Sequence, residues 1–368
     1  MVDHAGASHR EVDFAPRSRA GLNVRVEALT WQHALFAVEA ANTTVYVLRD
    51  QREAGAFLDD FGSGRLDREL RALLERPPHS RLTRRRARRT SPRARTGTLV
   101  GLEHEFSIFD GSTRVDFRTL IHALAIEGVR ADPSDPNAYR CPWGGVITCD
   151  GREAEIAIPP VEVSPGFVRR AFDYADRGEA SLRDLVPGHR LDGYSSHISV
   201  SFAERNDRRA ARRYARTFAP AMMLLMDRAS SPGLLVRPRP GRLELCGEHV
   251  SGAVARGALA FAVGSVRALV GANRRALGAL RVRVRLEPAI ERYGIYVDRR
   301  AFGPDLYAAG RAADLRTRDG APRSAQQQLE LAWTLARQSV AADFAEDDLD
   351  AIDRMVRNEI PLPCEMGV

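Results

Sequence analysis

Four segments, far apart in the chain, place charged or chelating side chains at alternate positions. In Gly101-Leu102-Glu103-His104-Glu105-Phe106, Glu103 and Glu105 fall on one side of an extended backbone, with Leu102, His104 and Phe106 on the other. In Glu153-Ala154-Glu155-Ile156-Ala157-Ile158 the apolar set is Ala154, Ile156 and Ile158, so Glu153 and Glu155 face the opposite way. Between Ser195 and Phe202 the polar face is Ser195, His197, Ser199 and Ser201. Arg242-Leu243-Glu244-Leu245-Cys246 puts Arg242 and Glu244 together, just after Arg237 and Arg239. Alternate residues on a strand share a face with Cα atoms about 6.6 Å apart. Each segment alone reads as an ordinary solvated strand face. Side by side, their carboxylates would repel one another unless cations sat between them. Oxygen donors of this kind suit Mg²⁺ or Mn²⁺, which also bind phosphate oxygens.

The same segments resemble a known group. Gly101-Leu102-Glu103-His104-Glu105-Phe106 is similar to the opening G-x-E-x-E-(F/Y) strand of the glutamine synthetase-like carboxylate–amine ligases, which include glutamate–cysteine ligases and amidoligases. Trp143, then Asp150-Gly151, then Glu155 to Pro160 resembles the amidoligase pattern W…D-G…E-(hydrophobic)-x-x-P-P. His197-Ile198-Ser199-Val200 resembles an H-V-H-V strand, and Arg242-Leu243-Glu244 an R-(I/L)-E strand. The likeness runs over about residues 98 to 250. It implies an α+β fold with a curved, mostly antiparallel sheet and helices on its back. It implies Glu103, Glu105, Glu155 and Glu244 as metal ligands, with His197, Arg239 and Ser199 at the nucleotide and Arg237 and Arg242 as catalytic contacts to phosphate or a substrate carboxylate. ATP and Mg²⁺ (or Mn²⁺) are the implied cofactors, and small-molecule or peptide carboxylates and amines the implied substrates. Ring assemblies occur in some members of the group, so an oligomer is compatible with the resemblance. Two positions depart from the pattern: Cys246 stands where the group often has Arg, and Ser199 replaces the second His. A scaffold that kept the fold for binding or regulation and lost the chemistry is the alternative reading.

All 55 basic residues other than His are Arg. A chain without Lys excludes the Walker-A loop, the protein-kinase strand lysine and lysine Schiff bases. Arg, a planar fork that stays charged, can clamp phosphate in their place. The formal net charge is +7, and the Arg81 to Arg95 run alone carries eight Arg and no acid. Without that run the chain is at −1, so its basicity belongs to one segment. That segment has no aromatic residue for base stacking and reads as a basic linker, with a nucleic-acid arm the less favoured reading.

Cys141, Cys149, Cys246 and Cys364 show neither CxxC pairing nor zinc-type spacing, and Met1 to Arg19 has no apolar core of a signal peptide. The most apolar run, Gly257 to Val266, is too short to cross a bilayer. A reducing cytoplasm is the expected location, without membrane contact.

The elements that must position the acidic segments follow from periodicity. Residues 1–20 read as a tail, 21–78 as a small α/β module with a helix at Asp67 to Glu75, and 79–97 as the Arg-rich linker. Residues 98–368 form the expected catalytic domain. Within it the pattern predicts strands at Leu99 to Phe109, Gly145 to Thr148, Ala154 to Ile158 and Tyr194 to Phe202. Leu234 to Cys246, Arg281 to Leu286 and Tyr293 to Val297 also read as extended. Helices are expected at Val115 to Glu127, Pro165 to Leu185, Glu204 to Arg228 with a kink at Pro220, Val250 to Leu277, and from Ser324 onward.

Overall fold

The computed structural model describes 22–28, 34–40 and 43–48, then 97–366 apart from 125, 127, 133–134, 203–206, 290–293 and 342. The chain divides into two compact units, Met1–Ser91 and Pro92–Val368. In the first, β1 (Leu22–Ala28), β2 (Ala34–Ala40) and β3 (Thr43–Leu48) form an antiparallel sheet. The expected tail, linker and Asp67 to Glu75 helix lie outside the described residues.

The second unit is α+β, and its centre is a 12-stranded sheet whose strand pairs are all antiparallel. Its strands are β4 (Leu99–Asp110), β5 (Thr113–Val115), β6 (Val129–Asp132), β7 (Asp135–Arg140), β8 (Val146–Asp150), β9 (Glu153–Ala157) and β10 (Val161–Glu162). These are followed by β11 (Arg190–Ser201), β12 (Gly233–Arg239), β13 (Arg242–Glu248), β14 (Glu287–Ala289) and β15 (Gly294–Asp298). The spatial order is β14-β15-β12-β13-β11-β4-β9-β8-β7-β6, with β5 and β10 both paired to β4. A separate hairpin joins β16 (Asp314–Arg316) to β17 (Pro322–Ser324).

One face of the sheet is apolar because every second residue of its central strands is. Val100, Leu102, Ile198, Val200, Leu243 and Leu245 share one core with the helices. Those helices include α2 (Phe167–Leu185), α3 (Asp207–Thr217), α4 (Ala219–Met226) and α5 (Gly252–Gly271), with the short α1 (Phe117–Leu120) and α6 (Arg274–Ala279) beside them. The four-residue α7 (Leu306–Ala309) is followed by α8 (Ala325–Gln338) and α9 (Glu346–Val356). Among the described residues α5 alone is long and apolar enough to cross a membrane, and 78% of that stretch is buried inside the fold. Its small residues let neighbours close in: a Cβ on Gly257 would sit 2.8 Å from Met355 Sδ, and one on Gly264 3.1 Å from Ala336 Cβ.

Several expected elements are corrected. Val115 to Glu127 is not one helix: Thr113–Val115 turns back as β5 on β4, and among the described residues of that span only Phe117–Leu120 is helical, capped by Asp116. The apolar residues there repeat at helical spacing, but the hairpin takes the first of them. The long helix is two, α3 and α4, broken at Phe218. Pro220 has no N–H to give the carbonyl four residues back, and Arg216 O instead accepts from Val282 N at 3.1 Å. Val250 to Leu277 likewise splits into α5 and α6, with Asn273 capping the second. The alternating Arg281 to Leu286 is no strand, only a single bridge of Val282 to Thr317. Its amides are satisfied separately: Arg283 N donates to Arg316 O at 2.7 Å and Arg285 N to Ala301 O at 2.9 Å.

β11 is longer than expected and shifts register between Gly193 and Ser195. Gly193 is required there because a Cβ would lie 2.1 Å from the His249 ring. That ring packs on His104 and Phe106 at centroid distances of 5.0 and 5.3 Å. Gly193→Ala is expected to cost about 1–3 kcal/mol through overpacking. A lower urea midpoint with an unchanged m-value is the check.

Candidate acidic site

The face of the sheet opposite the helices carries the acidic and chelating side chains, and strand register gathers them. β11 lies between β4 and β13, so His197 is directly opposite Glu103 on one side and Cys246 on the other. Ser195 faces Glu105, and Ser199 faces Glu244. On the far side of β4, Glu105 pairs with Glu155, and Thr148 of β8 lies opposite Glu155 in turn. Directly opposed residues project to the same side of a sheet. Glu103, Glu105, Glu155, His197, Ser199, Glu244, Arg237, Arg239 and Arg242 therefore share one face.

His197 is the hinge between two groups. Its Nδ1 is 3.3 Å from Glu103 Oε2 and 3.8 Å from Glu244 Oε1, while Nε2 is 3.4 Å from Glu105 Oε1 and 3.2 Å from Ser195 Oγ. Burial pulls its pKa down, but the Glu103 hydrogen bond and the charges of Glu105, Glu103 and Glu244 outweigh that and hold it above the ordinary 6.5. Behind the sheet, His104 bonds Ser196 Oγ at 2.8 Å. Burial, then His249 and His197, push its pKa down to about 3, which keeps it neutral.

Register also decides which carboxylates find a cation of their own. Glu153 pairs with Arg114 of β5. Glu244, 3% exposed, accepts from Arg237 Nη1 at 3.0 Å and from Arg239 Nε at 2.6 Å. Burial opposes its charge, but the two guanidiniums outweigh burial and hold its carboxyl below the ordinary 4.5. Among the described residues no guanidinium pairs with Glu155. Burial first, then the charges of Glu103, Glu105, Asp150 and Glu244, push its carboxyl well above 4.5. Glu105 is raised as well, burial prevailing over His197 and the Ser195 hydrogen bond.

Donor atoms of Glu105, Asp150 and Glu155 lie within 4.8 Å of one another, as do those of Glu103, Glu155 and His197. A third such set joins His197, Glu244 and Cys246. Carboxylates under mutual repulsion that share one imidazole and, among the described residues, show no arginine partner are what a hard divalent cation fits. The rim beside them is unfinished in the same sense. Among the described residues six buried side-chain polar atoms lack a partner, and Ser199 Oγ, Arg237 Nε and Arg242 Nε are three of them. Such atoms are rare in native folds and mark places where a ligand can complete the hydrogen bonding.

The sequence reading missed two members of these donor sets. Asp150 ends β8 on the face it shares with Glu153, its register partner, and its alternation with Thr148 was the available signal. Cys246 is a donor rather than only a departure from a pattern, and its alternation with Glu244 and Arg242 places it there.

The folded-state pKa of Glu155 and of Glu105 is raised, so each contributes stability that is complete below its ordinary 4.5 and is lost as pH rises through the folded value. His197, also raised, contributes stability complete below 6.5 and lost above its folded value. The metal-free protein is therefore expected to lose stability from these groups as pH rises from 4.5 to beyond 6.5. Melts at pH 5 and pH 8 check this: Mn²⁺ should raise Tm more at pH 8, and an equal rise at both would contradict it.

No protein-family model matches the chain, and no curated protein matches it. Solved structures that the chain matches include the crystal structure of the complex between the prokaryotic ubiquitin-like protein Pup and its ligase PafA. The match has 13% identity and a TM-score of 0.40, and it covers 71% of this chain. The chain spans 64% of that structure's chain. A likeness at this level assigns no role to any residue here. The class that fold and site define is an α+β protein whose antiparallel sheet carries an acidic basin with an arginine rim.

Proposed function

We propose that the protein is an ATP-dependent carboxylate–amine ligase that forms an amide through an acyl phosphate. The observation that supports this is the meeting, on one sheet face, of a carboxylate cluster served by a single imidazole with underbonded arginines. Glu103, Glu105, Glu155 and Asp150 would hold divalent cations, which when bound screen phosphate charge as the γ-phosphoryl group moves. Arg237, Arg239 and Arg242 reach the same face as planar donors suited to phosphate or carboxylate oxygens. Glu244 holds the first two in place by direct hydrogen bonds. In the reaction a substrate carboxylate oxygen bonds to the γ-phosphorus and ADP leaves. The amine nitrogen then bonds to the activated carbonyl carbon, inorganic phosphate departs, and the nitrogen loses a proton. His197, flanked by Glu103 and Glu105, is placed to hold a proton on that face.

The test is ATP turnover with panels of carboxylates and amines, with hydroxylamine added to trap the acyl phosphate as a hydroxamate. Release of ADP that requires a carboxylate and yields hydroxamate supports the ligase. Turnover unchanged in Glu103→Ala and Glu105→Ala would refute the ligand assignment.

A further inference from the structure

We propose that His197, Glu244 and Cys246 form a binding site for a thiophilic divalent cation of the Zn²⁺ class, distinct in donor chemistry from the all-oxygen set of Glu105, Asp150 and Glu155. Donor atoms of the three residues lie within 4.8 Å of one another, and all three are buried. The set offers one nitrogen, one sulfur and one oxygen, a combination that favours Zn²⁺ or Co²⁺ over Mg²⁺. Cys246 faces His197 across β11 and β13, is 8% exposed and free of any disulfide, and its thiol has no hydrogen-bond partner among the described residues. A buried polar group aimed at two donors and left unbonded is the independent sign of a missing partner.

The surroundings fit a metal-ligating histidine. Such a histidine usually gives its other ring nitrogen to a carboxylate, which fixes the ring. Here Nδ1 lies on the Glu244 side, 3.8 Å from its Oε1, while Nε2 faces Glu105 at 3.4 Å, so Nδ1 can take the ion while Nε2 keeps a carboxylate. Glu244 keeps its arginines as well, since each carboxylate oxygen has a second lone pair. Beside the buried set, the Glu103 and Arg239 side chains are 29% and 24% exposed. On binding, the sulfur–metal bond forms as the S–H bond breaks, and the proton passes to solvent. No change of oxidation state is involved. The site does not depend on the ligase reading, because it requires neither nucleotide nor turnover.

The experiment titrates the full chain, freed of metal and kept reduced by a phosphine, with Co²⁺ under anaerobic conditions. An intense near-ultraviolet sulfur-to-cobalt band is expected, lost on adding one equivalent of Zn²⁺ and unaffected by millimolar Mg²⁺. Cys246→Ser should abolish the band, and His197→Gln should weaken Zn²⁺ binding at least about 10- to 100-fold in competition with a chromophoric chelator. Cys149→Ser and Cys364→Ser should leave the band intact, and near-ultraviolet circular dichroism reports whether each variant is folded. Absence of the band in the wild type, its persistence in Cys246→Ser, or its displacement by Mg²⁺ would each overturn the assignment. A band without ATP turnover would refute the ligase alone, and turnover without a band would refute this site alone.

Discussion

Replacing Glu155 with Gln should make the metal-free protein more stable and leave it unable to turn over ATP. Glu155 sits among Glu103, Glu105 and Asp150 with no guanidinium partner among the described residues, and burial and these charges disfavour its ionised form. Gln keeps the shape and removes the charge. Each kcal/mol of repulsion relieved is worth about 2–4 °C in Tm for a unit of this size. The same substitution removes an anionic oxygen donor that the proposed cation site requires, so Mg²⁺-dependent turnover should fall at least about 100-fold. Stability and activity would move in opposite directions, as is common where a site stores like charges. A Tm that falls in the absence of metal would show that Glu155 is held by partners other than repelling neighbours.

Glu244→Ala should do the reverse. Glu244 shares the face with Glu155 but is bonded by Arg237 and Arg239, whose side chains are 17% and 24% exposed. Removing it strands two guanidiniums that are mostly buried, and breaking a buried pair from one side costs about 3–5 kcal/mol. The expected result is a large loss in the urea midpoint, with or without divalent cation. Glu244→Gln retains one acceptor and should recover part of it. If Glu244→Ala melted like the wild type, the arginines would have other anchors, and the view of Glu244 as their support would fall.

The contrast between these two carboxylates marks how far the sequence could be read. Period-two alternation at Glu103 to Glu105, Glu153 to Glu155, Ser195 to Ser201 and Arg242 to Cys246 is enough to say which side chains share a face, because a pleated strand has only two faces. The structure brings those faces together through β13-β11-β4-β9-β8 adjacency. Alternation says nothing about register, and register fixed the chemistry. It gave Glu153 to Arg114 and Glu244 to Arg237 and Arg239, and left Glu155 beside Glu105. The sequence motif treated all four glutamates of the implied metal set alike, whereas the structure separates Glu244 from the rest by its arginines. Cys246 opposite His197 is another product of register.

Misread elements have the same cause at larger scale. Arg281 to Arg285 alternates as a strand does, yet its amides bond to Arg216, Arg316 and Ala301 on unrelated elements instead of one neighbouring strand. Val129–Asp132 and Asp135–Arg140 are strands absent from the expected elements, and Asp and Pro are poor strand formers. They lie at the far edge of the sheet, beyond β8, where such residues are tolerated. Buried Asp348 shows a link invisible to local pattern. It accepts from Ala345 N at the start of its own helix α9 and from Gly166 N and Val168 N at the start of α2, some 180 residues away.

The central claim is that distant strands build one basin that holds divalent cations against a nucleotide. Calorimetric titration of the intact chain with ATP tests it most directly, run with Mg²⁺, with Mn²⁺ and with a chelator in place of either. Saturable binding with either cation, lost in the chelator and lost in Glu155→Gln, is the predicted result. ATP binding that is equally tight in the chelator, or absent under all three conditions in a folded protein, would contradict it.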